Sequence, residues 1–199
     1  PQSLETAAGH HRFVWDLRHA PPPGIQRGYD IAATFGDTPS DPVGPFVHPG
    51  SYKVRLTSDG VVREASIEVR LDPRVDVPAQ DIQMQTDYSL RLLKASENAQ
   101  HLRDRIDSRL DNTPFDRRDP LLALRGRGEA DNPNISYGSI TVAEPGEETV
   151  VGLQEKLVYM LKILQSADAR PTTTAIKAVD ALRAELELLE ARFTAIAGA

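Results

Sequence analysis

The spacing of apolar residues changes near Asp76 from the period of a strand to the period of a helix. Before that residue, apolar and polar side chains alternate in short runs that are separated by prolines and glycines, which is typical of β-structure. After it, apolar residues recur every three or four positions, which is typical of amphipathic helices. The pattern predicts an α+β chain in two segregated parts, a β-part over residues 1–76 and a helical part over residues 77–199.

The first alternating run is RFVWDLR, near the start of the chain. It spaces Phe13, Trp15 and Leu17 two residues apart, and Asp16 and Arg18 occupy the alternate positions. Because successive side chains of a strand point to opposite faces, the run predicts a strand with one buried apolar face and one polar face.

Residues 20–50 are rich in proline and glycine, in the segments APPPG, TPSDPVGP and HPG. Proline cannot donate a backbone hydrogen bond to a sheet and glycine favours turns, so this stretch predicts loops. One short strand is predicted within it, near residues 29–34.

The segment SYKVRLTSDGVVREASIEVRL predicts a β-hairpin. Its Asp59-Gly60 pair lies between two alternating runs, and this dipeptide favours a two-residue type I′ turn because both positions require positive φ. The turn fixes the register of the strands. Two pairs of apolar residues then face each other on one side of the hairpin, Tyr52 with Ile67 and Val54 with Ala65.

Three apolar stripes predict long helices over about residues 81–110, 148–166 and 172–196. Pro171 suits the start of the third helix, and the connection before it is so short that the second and third helices must be antiparallel neighbours. The spacing near 3.5 residues predicts an antiparallel bundle of about three long helices, or a helical hairpin, with coiled-coil-like packing. Residues 112–147 have no sustained period and predict a long irregular loop.

Composition excludes several classes of function. The chain has 23 basic and 29 acidic residues and a net charge of −6. Neither half has a basic surplus, so we do not expect nucleic-acid binding. The apolar runs are far shorter than the roughly 20 residues that a membrane span needs. The absence of cysteine excludes disulfides, thiol nucleophiles and cysteine-bound metals.

Three histidines, His10, His11 and His19, flank the first predicted strand and suggest a metal site or a general base. Adjacent residues of a strand point to opposite faces, so His10 and His11 cannot both ligate one ion while the strand continues. The sequence has no HExxH motif, phosphate-binding glycine loop or GxSxG elbow. We therefore expect exposed histidines and predict no catalytic, cofactor-binding or metal-ligating residue.

Trp15 beside Asp16 leaves two interpretations open. The ring and the carboxylate would suit a glycan-binding platform, in which the ring stacks on a sugar and the carboxylate accepts hydrogen bonds. Alternation favours the other interpretation, a core tryptophan of a β-sandwich next to a surface acid. The arginines of two segments, residues 117–120 and 125–128, lie among acidic residues that neutralise them, and we expect a solvated loop there.

Four short motifs, GHHRFVWDLR, PGSYKVRL, DPR and DARPT, follow one another in the chain. In this order they resemble the C-terminal region of bacterial sortilin-like proteins with BNR-repeat propellers, which are large exported proteins often labelled glycosyl hydrolases. His11 stands where that family usually has asparagine. The matching residues are Gly9, Arg12, Trp15, Asp16, Leu17 and Arg18; Pro49, Gly50, Tyr52, Val54 and Leu56; Asp72, Pro73 and Arg74; and Asp168, Pro171 and Thr172.

The resemblance implies an incomplete immunoglobulin- or fibronectin-like β-sandwich followed by the helical bundle, in an exported protein of the periplasm or the extracellular space. It further implies a non-catalytic accessory or assembly module that acts in domain or subunit association, because any hydrolase activity would belong to an absent propeller. The alternative function is part of a glycan-binding or glycoside hydrolase-associated surface.

A sandwich of this type needs about seven strands, and the sequence supplies fewer. We therefore expect an unpaired edge along Phe13, Trp15 and Leu17. A strand from another subunit, or from the N-terminal part of the same protein, would pair with that edge. A further alternative is a helical docking surface along Leu186, Leu189 and Phe193.

Overall fold

The computed structural model describes residues 7–29, 34–36, 38–126 and 148–198. It contains one antiparallel sheet of two strands and four α-helices. The elements are β1 Gly50–Ser58, β2 Val61–Val69, α1 Ala79–Asp111, α2 Asp119–Arg125, α3 Val150–Leu164 and α4 Thr173–Ala197, with a 3₁₀ turn at Phe115–Arg117 before α2.

The predicted fold class is wrong. The described residues form a two-stranded sheet and no sandwich of the immunoglobulin or fibronectin type. They also form four helices, of 33, 7, 15 and 25 residues, instead of a bundle of about three long helices. The additional helix, α2, lies in the stretch 112–147 that we predicted to be irregular, and about two turns are too few to show a helical period.

The run from Phe13 to Leu17 is not a strand. Leu17 has φ of 60°, a left-handed conformation that ends extended backbone and that leucine rarely adopts. Both Phe13 and Leu17 are exposed, so the predicted buried face is also wrong. Alternation shows which face a strand would bury, but it does not provide the neighbouring strand that burial requires. The short strand predicted near residues 29–34 falls largely on 30–33, outside the described residues.

The hairpin forms with the register that the turn predicts. β1 and β2 pair antiparallel, with Tyr52 opposite Ile67 and Val54 opposite Ala65. The turn residues have φ of 49° at Asp59 and 78° at Gly60. Positive φ at both positions is the type I′ geometry, which matches the twist of the two strands.

The hydrophobic core lies between the helices. α3 runs antiparallel to α1, as contacts at two levels show: the Gln85 amide of α1 donates to the Leu164 carbonyl at the end of α3 over 2.5 Å, and the Gln154 amide near the start of α3 donates to Gln100 over 2.9 Å. α2 adds Leu121 and Leu124, both buried, to the same core. The largest fully buried apolar side chains of the other helices are Leu92, Leu102, Ile106, Leu153, Leu157 and Leu189.

Loop residues before the hairpin are attached to the helical core. The Gln165 side chain lies between the two parts: its Oε1 accepts from the Phe46 backbone N–H over 2.9 Å, and its Nε2 donates to Ser89 of α1 over 2.9 Å. Gly44 lies so close to an earlier loop that a Cβ there would be 2.0 Å from the His19 carbonyl oxygen. These contacts fix the position of the chain that leads into β1.

Candidate functional site

The two faces of the hairpin differ in chemistry. On one face the Glu64 carboxylate of β2 pairs with two cations of β1, at 3.1 Å from Lys53 Nζ and 2.7 Å from Arg55 Nε. Opposite charges on adjacent strands stabilise a sheet modestly, and here the charges of β1 and β2 pair with each other. We call this side the polar face of the hairpin.

The opposite side, which we call the apolar face, is largely uncovered. The pairing of the strands places on this face Tyr52, Val54, Leu56, Ser58, Val61, Arg63, Ala65, Ile67 and Val69. Val54, Leu56 and Val61 are 48%, 52% and 55% exposed. A ribbon of nine residues per strand is therefore amphipathic, but its apolar side has no layer packed over it within the described parts of the chain.

The base of the hairpin is anchored by Trp15. The indole and Tyr52 rings meet edge to face with centroids 5.5 Å apart, and the Tyr52 hydroxyl donates to the His48 carbonyl over 2.5 Å. The indole N–H donates to the Arg18 carbonyl over 3.1 Å. An edge-to-face pair of rings contributes about 0.5–1.5 kcal/mol to stability beyond the gain from burying their apolar surface. Trp15 therefore attaches the hairpin to the loop before it.

Arg18 continues this anchor toward the helices. Its guanidinium lies 3.5 Å from the centre of the Phe46 ring and donates to the Gly44 carbonyl over 2.8 Å. Burial lowers the pKa of Arg18, and the charges of Asp16 and Asp41 act in the opposite direction. The ordinary pKa of arginine is so high that the side chain stays cationic at physiological pH. The Tyr52, Trp15, Arg18 and Phe46 contacts form one continuous row.

Of the residues predicted to form a strand-pairing interface, the structure brings only Trp15 to the hairpin. Phe13 and Leu17 are exposed and lie outside any strand, so they do not form a sheet edge with it. Sequence reasoning missed Arg18 as an anchor, because its partners Phe46 and Gly44 lie more than 25 residues away and no local pattern connects them.

Trp15 is half-buried beside the hairpin, and this state lies between the buried core tryptophan and the exposed glycan platform that the sequence left open. The ring packs against the hairpin, and its N–H group already donates to a protein carbonyl. The neighbouring Asp16 carboxylate accepts from the Arg18 backbone N–H over 3.1 Å. The indole N–H and one oxygen of the Asp16 carboxylate thus hold the loop.

The other candidate residues do not form a chemical centre. His10, His11 and His19 are exposed, and the described residues include no group of three His, Asp or Glu side chains placed to hold a metal ion. Arg125 pairs with Asp107 of α1 at 2.5 Å, while the end of its segment, residues 127–128, lies outside the described residues.

The further alternative, a helical docking surface along Leu186, Leu189 and Phe193, is contradicted by their burial. All three side chains are buried in the core between the helices, so none is available to a partner. This stripe is the face of α4 that packs against the neighbouring helices. Apolar stripes with this spacing are usually buried in that way.

No helix within the described ranges has the length and apolar character needed to cross a membrane. Comparisons with protein-family models, curated proteins and solved structures match nothing. The resemblance to sortilin-like propeller proteins therefore gains no support from them, and the sandwich that it implied is contradicted by the two-stranded sheet.

Proposed function

We propose that this chain is a protein-association module in which the hairpin β1–β2 is the arm that contacts a partner protein. The exposed apolar face is the observation that supports this proposal. Three of its aliphatic side chains are about half exposed, whereas the aliphatic side chains of the helical core are buried. Contiguous exposed apolar surface bordered by polar groups is typical of interaction sites.

The energy available to a partner follows from the exposed fractions. Fully burying a Val or Leu side chain is worth about 1.5–3 kcal/mol. Covering the exposed halves of Val54, Leu56 and Val61 would thus contribute roughly 2–4 kcal/mol to association. This gain can support specific contact, but it is too small for tight binding unless other parts of the surface also contribute.

The ion pairs on the polar face support the same orientation of the arm. Lys53 and Arg55 are already paired with Glu64 in solvent, so that face gains little from a partner. The apolar face gains the removal of aliphatic surface from water. A hairpin of two strands is also only marginally stable by itself, and a third layer would stabilise it. We therefore orient the apolar face toward the partner.

Export and a place beside a propeller remain predictions from the sequence motifs. The association role implied by those motifs agrees with the role proposed from the hairpin.

The proposed function is tested by measuring the native size of the protein in extracts of the cells that produce it. The wild-type chain is expected to run in a species larger than its monomer, and Val54→Thr/Leu56→Thr/Val61→Thr is expected to shift it toward monomer size. Val62 is a matched control because it is 52% exposed and lies on the polar face. Val62→Thr should leave the size unchanged. Equal sizes for the wild type and the triple variant would refute the proposal.

A further inference from the structure

The turn of the hairpin exposes the two groups that react when aspartate isomerises, a side-chain carboxyl and the backbone nitrogen of the next residue. Asp59 and Gly60 are both exposed, and a Cβ built on Gly60 would meet nothing within 4 Å beyond its neighbours in the chain. Within the described residues, the Asp59 carboxylate forms no hydrogen bond or ion pair, and the Gly60 backbone N–H has no acceptor. Neither group is therefore held in place by a neighbour.

Closing a ring between these two groups requires one backbone torsion to change. In the five-membered succinimide ring the Gly60 nitrogen eclipses the Asp59 Cβ, and in an L residue this requires ψ of about −120°, the value of the first position of a type II′ turn. The observed type I′ turn has ψ of about +30° at that position. The φ of Asp59 is 49°, already close to the roughly +60° of a type II′ turn. Only ψ has to rotate.

The hairpin accommodates this rotation. Turns of types I′ and II′ both join antiparallel strands through two residues, and they differ mainly in the orientation of the peptide group between those residues. The second position of a type II′ turn has negative φ, which glycine adopts as readily as the observed φ of 78° at Gly60. The pair that closes the turn, Ser58 with Val61, is the same in both types. The peptide group can therefore turn over while the strands keep their register.

We infer that Asp59-Gly60 is a site of spontaneous isoaspartate formation in the folded protein. The Gly60 nitrogen attacks Cγ of the protonated Asp59 carboxyl, the bond from Cγ to the hydroxyl breaks, and the hydroxyl leaves as water with the proton of the nitrogen. Water then adds to one of the two ring carbonyls, and the bond from that carbonyl to the ring nitrogen breaks. Opening at the main-chain carbonyl gives isoaspartate, whose backbone runs through Cγ. Water is the only co-reactant.

The product changes the connection between the strands. Isoaspartate adds one methylene group to the main chain, so the loop loses the two-residue geometry that fixes the register. Backbone amides beside the turn, such as that of Val61, should therefore exchange with solvent faster in the isoaspartyl form than in the unmodified chain. The helical core is remote in sequence from the turn and should keep its protection. This modification goes beyond the proposed association and does not require a partner.

Peptide mapping of the folded full chain after long incubation in neutral buffer tests the inference. The peptide that contains Asp59 should separate into two species of equal mass, and a protease that cleaves beside aspartate should cut only the unmodified one. Asp107-Ser108 in α1 is a reference in the same sample, and its carboxylate pairs with Arg125. Because a helix holds ψ near about −42°, far from the value for ring closure, isoaspartate at Asp59 should exceed that at Asp107 at least roughly tenfold.

Two variants keep the turn and change the reacting group. Asp59→Asn retains a dipeptide that favours type I′ turns and should give the same isoaspartyl species faster, because a neutral amide is attacked more readily than a carboxylate. Asp59→Gly also suits this turn but has no side-chain carbonyl, so no second species should form. Circular dichroism spectra should confirm that both variants fold.

Two results would overturn the inference. One is a level of isoaspartate at Asp59 that does not exceed the level at Asp107 in the folded chain. The other is isoaspartate that forms only when the same chain is unfolded in urea, since the folded turn would then prevent ring closure.

Discussion

Replacing the exposed aliphatic side chains of the hairpin should leave the fold almost as stable as before. In Val54→Thr/Leu56→Thr/Val61→Thr, each substituted position is about half exposed, and threonine keeps the β-branched shape that strands favour. Surface substitutions of this kind usually change stability by at most about 0.5 kcal/mol each. The leucine loses the most buried carbon, so we expect a total cost of about 1–2 kcal/mol for the triple variant.

A buried leucine provides the comparison. Leu157 of α3 is fully buried in the helical core. Leu157→Ala should cost about 2–5 kcal/mol, because it removes apolar contacts and leaves a cavity. The free energy of unfolding from urea titration, followed by helical circular dichroism at low protein concentration, measures both variants in the monomer. The single substitution in the core is thus expected to cost more than the three in the hairpin together.

The opposite order of stabilities would refute this reasoning. If the triple variant lost more than about 4 kcal/mol, the three side chains would have to be packed within the monomer, as core residues are. The apolar face would then belong to the fold and would not be available to a partner. Val62→Thr on the polar face controls for any general effect of threonine on the strands.

Three further predictions concern the body of the protein. Gln154 is buried, its Nε2 donates to Gln100, and its Oε1 has no hydrogen-bond partner among the described residues. Gln154→Met removes the cost of the unpaired oxygen together with one hydrogen bond, so the free energy of urea unfolding should change by less than about 1 kcal/mol; a loss above about 3 kcal/mol would contradict an unpaired Oε1. Gly44→Ala should cost more than about 2 kcal/mol in the same assay, because its Cβ would collide with the His19 carbonyl. The hydrogen bond to Glu148 raises the pKa of Lys156. The pair therefore stabilises the fold at pH values below the unfolded-state pKa of lysine, which is about 10.4. This contribution is lost as the pH rises through the folded-state pKa. Lys156 is half exposed, so Lys156→Met should remove less than about 1 kcal/mol of this alkaline pH dependence; an unchanged alkaline profile would contradict the assignment.

Local patterns in the sequence account for the hairpin and for most helix bounds. Asp59-Gly60 specifies a turn that admits one register, and the observed strand pairs follow from it. The bounds of α1, α3 and α4 lie within two residues of the apolar stripes, because a long helix repeats its pattern several times. The short α2 repeats it too few times to be recognised.

The arrangement of these elements could not be predicted in the same way. Alternation in RFVWDLR is the same whether or not a neighbouring strand exists, and nothing in the sequence marks the positive φ of Leu17. The hydrogen bonds of Gln165 join residues more than 70 positions apart. The alternation of apolar and polar residues predicts the apolar face of the hairpin. Its exposure depends on which other elements cover it, and that is a property of the whole fold.

Site-specific photo-crosslinking tests the central claim most directly. A photoreactive side chain is placed at Val61 on the apolar face or at Val62 on the polar face, adjacent positions of nearly equal exposure. After irradiation in the cells that produce the protein, mass spectrometry identifies the adducts. The association function predicts a defined protein adduct from position 61 and little from position 62. Equal yields from the two positions, or no adduct from position 61, would contradict it.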